Sequence, residues 1–102
     1  MATFMMLSTL SPDGASRLVD YPDRLLEVNS EVEAMGARVI AQYALLGQYD
    51  FLTIVEAADN ETVAHLSVDL ASRGTVHITT LPAIPVDSLV QKLGEPKQLG
   101  HR

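Results

Sequence analysis

The order of predicted elements, strand, helix, strand, strand, helix, strand, places this 102-residue chain in the α+β class. It reads as a ferredoxin-like βαββαβ sandwich followed by a short C-terminal helix. Three observations carry that assignment. Two long stretches repeat apolar residues at helical spacing. Four short runs are rich in apolar and β-branched residues and are bounded by Gly, Pro, Asp or Ser. The second and third of these runs flank Gly47-Gln48-Tyr49, a turn short enough to make them an antiparallel hairpin with Gly47 at positive φ. The topology puts the first and third strands in the middle of a four-stranded sheet. Both long helices then cover one face, and the other face needs a partner.

In chain order, Thr3 to Leu10 is an apolar run with Thr near both ends, and Ser11-Pro12-Asp13-Gly14 closes it with turn chemistry. A helical seam follows at Leu18, Tyr21, Leu25, Val28, Val32 and Met35, spaced by threes and fours. Pro22 interrupts it, so the helix either kinks after a first turn at Ala15–Val19 or starts afresh with Asp20 as N-cap. Asp23, Arg24, Glu27, Glu31 and Glu33 form its solvated side. Gly36 stands where a left-handed C-terminal residue belongs. Ala37 to Leu46 and Asp50 to Ala58 are the hairpin strands. Asp59 caps the second helix, whose inner stripe is Val63, Leu66 and Leu70, with Arg73 in the last turn and Gly74 after it. Thr75 to Leu81 is the last strand. Pro82 and Pro85 bracket its end, either where no ladder donor is needed or because the strand lies at the sheet edge. Val86 to Leu93 makes the short amphipathic helix. Residues 1–94 are one domain, and 95–102 a flexible tail.

Composition narrows the function classes. The chain has no cysteine, which removes disulfides, thiolate zinc sites, iron–sulfur clusters and cysteine nucleophiles. Its net charge is -6, and its seven Lys and Arg residues are scattered without a stripe. Nucleic acid and anionic membrane surfaces are therefore poor partners. No apolar run is of membrane length. The N-terminal segment Met1–Leu7 lacks a basic region, so a cytoplasmic location is expected. Yet 47 % of the residues are hydrophobic, high for a small acidic monomer. That excess points to a homodimer or larger homo-oligomer built through the open sheet face.

At the hairpin, Leu46-Gly47-Gln48-Tyr49-Asp50-Phe51-Leu52-Thr53-Ile54-Val55-Glu56-Ala57 resembles the GYD-domain family of small bacterial proteins. These share a Gly-x-Tyr-Asp turn followed by an apolar strand ending in Glu. Asp13-Gly14, the Asp20, Pro22 and Arg24 pattern, and Gly74 before the Val- and Thr-rich last strand are also similar. Gln48 replaces an expected basic residue and Ala58 an expected proline. The resemblance covers residues 3 to 90 and implies a dimeric α/β barrel, two open sheets packed face to face. It implies no particular activity. Structural relatives of the fold include cofactor-free monooxygenases, isomerases and ligand-binding proteins.

The candidate site residues each carry two readings. Asp50 either accepts backbone N–H bonds and closes the turn under Tyr49, or acts with Tyr49 at the mouth of an inter-sheet cavity as base and hydroxyl donor. Glu56 lies about 20 Å from Asp50 along the strand, too far for a carboxylate pair, and suits an interface ion pair. His77 and Thr79 share a face of the last strand and are either pocket lining or edge residues. Strict alternation puts Tyr43 with Val39 and Ala41, and Arg38 with Gln42 on the opposite face. If the Tyr43 face meets the helices, Arg38 and Gln42 line the partner side and could hold an anion. Otherwise Arg38 is an edge charge that deters aggregation. His65 reads as a helix-flank residue and His101 belongs to the tail. The three histidines have no metal-ligand spacing. Neither cofactor nor metal is expected, and no catalytic residue is assigned. Two functions remain: a small oligomeric domain that binds a small molecule or serves as a structural or regulatory subunit, and a cofactor-independent monooxygenase or isomerase with its site between the sheets.

Overall fold

The computed structural model describes residues 1–96. The chain forms β1 (Ala2–Leu10), α1 (Pro12–Asp20), α2 (Arg24–Ala34), β2 (Arg38–Ala44), β3 (Phe51–Ala57), α3 (Asn60–Ala71), β4 (Val76–Ala83) and α4 (Val86–Leu93). The sheet is antiparallel with order β2-β3-β1-β4. The ferredoxin-like arrangement and the central places of β1 and β3 are as the element order predicts. Lys97–Arg102, most of the expected tail, lie outside the described residues.

The long seam is broken into two helices. Ser11 caps α1, its hydroxyl accepting from Gly14 N–H at 3.0 Å, with Pro12 in the first turn. Ser-Pro-Asp-Gly is therefore a helix start rather than a turn, because the Ser hydroxyl accepts from a free first-turn N–H and the following Pro presets the helical φ. Asp20 is the last residue of α1 and does not cap α2. Asp23 holds the N-cap position of α2 without a side-chain bond. Tyr21, at the junction, is half exposed instead of sitting on the inner stripe. Asp59 does cap α3, accepting from Thr62 N–H at 2.8 Å. Gly36, Gly47 and Gly74 all have positive φ.

α1, α2 and α3 lie over the same sheet face. On it the core gathers Phe4, Met6, Val55 and Ala57 from the central strands, Val32 from α2, and Val63 and Leu66 from α3. Val63, Leu66 and Val55 are almost completely excluded from solvent. Each such aliphatic side chain contributes roughly 1.5–3 kcal/mol through burial. α1 is pinned where it crosses the start of β4: Ser11 donates from its N–H to Thr75 O and from its hydroxyl to Gly74 O, both at 2.9 Å.

The hairpin differs from expectation in two ways. Its connection runs from Leu45 to Asp50, longer than Gly47-Gln48-Tyr49, and Leu45 N–H closes it on Asp50 O at 2.8 Å. Within β2, Val39 opposes Val55 while Ala41 opposes Ile54. Ile40 is the extra residue of a β-bulge. A bulge reverses the phase of alternation beyond it. Pro82 falls inside β4, which is an edge strand, so its missing N–H costs no ladder bond.

Candidate functional site

Register assigns every strand residue to a face. Val55 and Thr53 of β3, opposite Phe4 and Met6, point to the helices, so Leu52, Ile54 and Glu56 point away. On β2 the bulge leaves Val39 and Gln42 toward the helices and Arg38, Ala41 and Tyr43 on the open side. Strict alternation had separated Arg38 from Tyr43 and grouped it with Gln42. The extra residue Ile40 corrects both assignments. On β4, His77 opposes Thr9 and Thr79 opposes Leu7, which puts both on the open face.

The open face is mostly apolar: Met5, Leu7, Leu52 and Ile54 run through its centre, with Leu81 and Tyr43 toward the two edges. Tyr43 is 56 % exposed and Leu81 47 %. Arg38 and Glu56 are cross-strand neighbours with their charges 4.0 Å apart, an exposed pair of small energetic weight. Tyr43 stands on one edge strand and His77 on the other, three strand spacings or about 14 Å apart. A single chain does not bring them to one point.

Asp50 sits at the end of the sheet and ties three segments. Its N–H donates to Ser8 O at 2.8 Å, its carbonyl accepts from Leu45, and its Oδ2 accepts from Leu10 N–H at 2.8 Å. The side chain continues the β1–β3 ladder because the carbonyl is already used by the hairpin. Tyr49 beside it is partly buried. Asp50→Ala is expected to cost about 2 kcal/mol, as it removes a charged acceptor from a half-buried backbone donor. Asp50→Asn should recover most of that loss. Urea denaturation of both variants measures it, and equal losses would contradict the hydrogen-bond account.

A second feature lies on the opposite side of the sheet. Between α1, α2 and the far ends of β1 and β3 lies a cleft of about 280 Å³. Leu10, Leu18, Leu25, Val28 and Phe51 supply apolar wall, and Ser8, Asn29, Gln42 and Thr53 supply polar groups. Asn29 Nδ2 donates to Gln42 Oε1 at 3.0 Å, and Gln42 Nε2 donates to Thr53 Oγ1 at 3.4 Å. Arg17, Arg24 and Arg73 also line it. Arg24 is bonded to Glu27 and Glu31, Arg73 to Glu31 and Asp69, and Arg17 to Asp13. Glu31 thus joins α2 to the end of α3.

Sequence reasoning missed this chamber. Strict alternation groups Gln42 with Arg38, and the bulge separates them. Asn29 gave a signal: it lies four residues after Leu25 and three before Val32, so it shares their inner row. Among the described residues no group of three or more His, Cys, Asp or Glu is placed to hold a metal ion. None of the described helices is long and apolar enough to cross a membrane.

The GYD domain profile matches residues 4–93. The chain belongs to the GYD domain family. This GYD protein is 55% identical over 94 residues to the glutamine synthetase and cystathionine beta-lyase binding protein of Thermus thermophilus, a match covering 91% of this chain and 99% of that protein. Its fold is similar to the crystal structure of FFRP-DM1, with a TM-score of 0.56 at 21% identity, over 82% of this chain and all of that one. That likeness concerns the fold alone.

The ion pairs of the GYD domain predict an acid response. The Arg73 guanidinium, by its hydrogen bond, holds the Glu31 carboxyl below the usual carboxylate range, with Arg24 adding to the effect and burial opposing it. A carboxyl whose pKa is depressed by folding stabilises the fold fully above its unfolded value of about 4.3. The contribution is lost as pH falls through the lower folded value. Stability of the wild type should therefore drop in that acidic window, and Glu31→Gln should flatten the drop. The effect is small, because the pair is a third exposed and solvent screens it. Denaturant midpoints measured between pH 5 and pH 3 test it; parallel curves would refute the role of Glu31.

Proposed function

We infer that this GYD protein is a non-catalytic binding subunit that docks on glutamine synthetase and cystathionine β-lyase, and that it works as a homodimer joined through its open sheet face. The observation that carries the first part is the 55% identity, over nearly the full length of both chains, to a protein named for binding those two enzymes. Identity of that extent supports a common fold over the matched length. The homodimer is supported by the open face itself. Met5, Leu7, Leu52 and Ile54, partly exposed, and Leu81, exposed, form an apolar surface, and such surfaces mark association sites. The competing reading, a cofactor-independent enzyme between the sheets, draws no support from Tyr43 and His77, which stand at opposite edges.

The test is direct. Purified protein is immobilised and challenged separately with glutamine synthetase and cystathionine β-lyase from the same organism, with an unrelated oligomeric enzyme as control. Saturable binding to either enzyme and none to the control supports the reading; no binding to both overturns it. Light scattering at micromolar concentration tests the dimer independently: twice the chain mass is expected, and a monodisperse monomer rejects the face-to-face assembly.

A further inference from the structure

We propose that the cavity between α1, α2 and the sheet is a binding site for a small uncharged molecule with an apolar body and one hydrogen-bonding group, such as an alcohol, a ketone or a primary amide. A cleft of about 280 Å³, partly open to solvent, approaches the size of small-ligand pockets. Its composition is also that of such a pocket, a largely apolar wall with a few placed polar groups.

The polar groups select the ligand class. Those inside are neutral amides and hydroxyls. Asn29 uses one N–H on Gln42 Oε1, and Gln42 uses one N–H on Thr53 Oγ1. Each amide keeps a second N–H, Asn29 Oδ1 can accept and the Thr53 hydroxyl proton can donate, so the set offers a ligand both donors and an acceptor. None of these groups carries a charge. The three arginines that line the cleft do, and each is paired with a carboxylate from its own or a neighbouring helix. An anionic ligand competes with Asp13 and Glu31 for those guanidinium groups, and a cationic one meets no carboxylate among the lining residues. Either ion also gives up its hydration against a largely apolar wall. A neutral ligand meets neither cost and can bond to the amides and the hydroxyl. The site lies on the opposite side of the sheet from the proposed dimer face, so the inference stands apart from the enzyme-docking reading.

Titration of the full-length, isotopically labelled protein with 1-hexanol, followed by amide NMR, tests the proposal, with hexanoate and hexylamine as charged counterparts of similar length. The expected result is saturable shifts at the backbone of Ser8 and Thr53 and at the side-chain amides of Asn29 and Gln42. Hexanol should bind at least tenfold tighter than either charged analogue. Thr53→Val, which keeps the shape and removes the hydroxyl, should weaken hexanol about fivefold, the equivalent of one hydrogen bond. Val28→Phe, which fills the chamber, should abolish binding. Should that variant fail to fold, Asn29→Leu serves in its place and removes the acceptor. Equal or tighter binding of hexanoate, absence of saturable shifts at these residues, or hexanol binding unchanged in both Thr53→Val and the chamber-altering variant would each overturn the proposal. Loss of hexanol binding leaves the enzyme-docking assay unaffected, so the two readings fail separately.

Discussion

Gly14→Ala is expected to destabilise the protein by about 3 kcal/mol, the upper end of overpacking costs. For a domain of this size that corresponds to roughly 15 °C in Tm. A Cβ on Gly14 would stand 2.1 Å from Thr75 O and 2.9 Å from Thr75 C. These are main-chain atoms, so no rotamer change relieves the overlap, and α1 must lift away from β4. Lifting it breaks the two bonds by which Ser11 holds Thr75 O and Gly74 O. It also displaces a wall of the cavity, since Gly14 and Leu18 both line it. Thermal and urea unfolding of Gly14→Ala measure the loss. The added substitution Thr75→Ala should not rescue it, because the obstructing atom is the backbone carbonyl. A Tm within a few degrees of wild type would show that α1 is not clamped there.

The second large effect concerns the open face. On the proposed dimer, Ile54→Lys should weaken association by at least a hundredfold while leaving the monomer folded. Ile54 sits in the middle of β3, a central strand, directly opposite Met5 of β1. In the single chain it is partly exposed, so lysine there can reach water and should cost no more than about 1 kcal/mol. Between two sheets the same ammonium is buried without a partner and costs several kcal/mol. Size-exclusion light scattering with circular dichroism separates the two outcomes. A folded monomer supports the face-to-face dimer. A dimer that survives the substitution rejects it, and an unfolded chain would mean that Ile54 serves the fold itself.

The exposure of α4 belongs with the same question. Val86, Leu89 and Val90 share one side of the helix and are 45–72 % exposed, and no residue of α4 is buried. The amphipathic pattern at the end of the chain is legible in the sequence; what that side rests on is a matter of assembly.

The sequence by itself determined the four strands, α3, α4, their order and the family, though not where the long seam divides into α1 and α2. Helical spacing, Gly and Pro punctuation and β-branched runs are local signals, and most elements obeyed their own. Asp59 capped α3 because an Asp before a helical stripe can reach the first free N–H groups wherever the helix lies. Gly47 took a positive φ because the hairpin demands it there. Two things needed the tertiary structure. Which strand residues share a face depended on Ile40, one extra residue that the pairing of Val39 and Ala41 with β3 reveals and that strict alternation cannot show. With it Gln42 turned inward and Arg38 joined Tyr43 outside. The cleft depended on how α1 and α2 pack over the far end of the sheet, where Gly14 meets the Thr75 backbone, a contact between residues far apart in the chain. Asn29, Gln42 and Thr53 come from three separate elements and become one hydrogen-bonded set only when those elements pack.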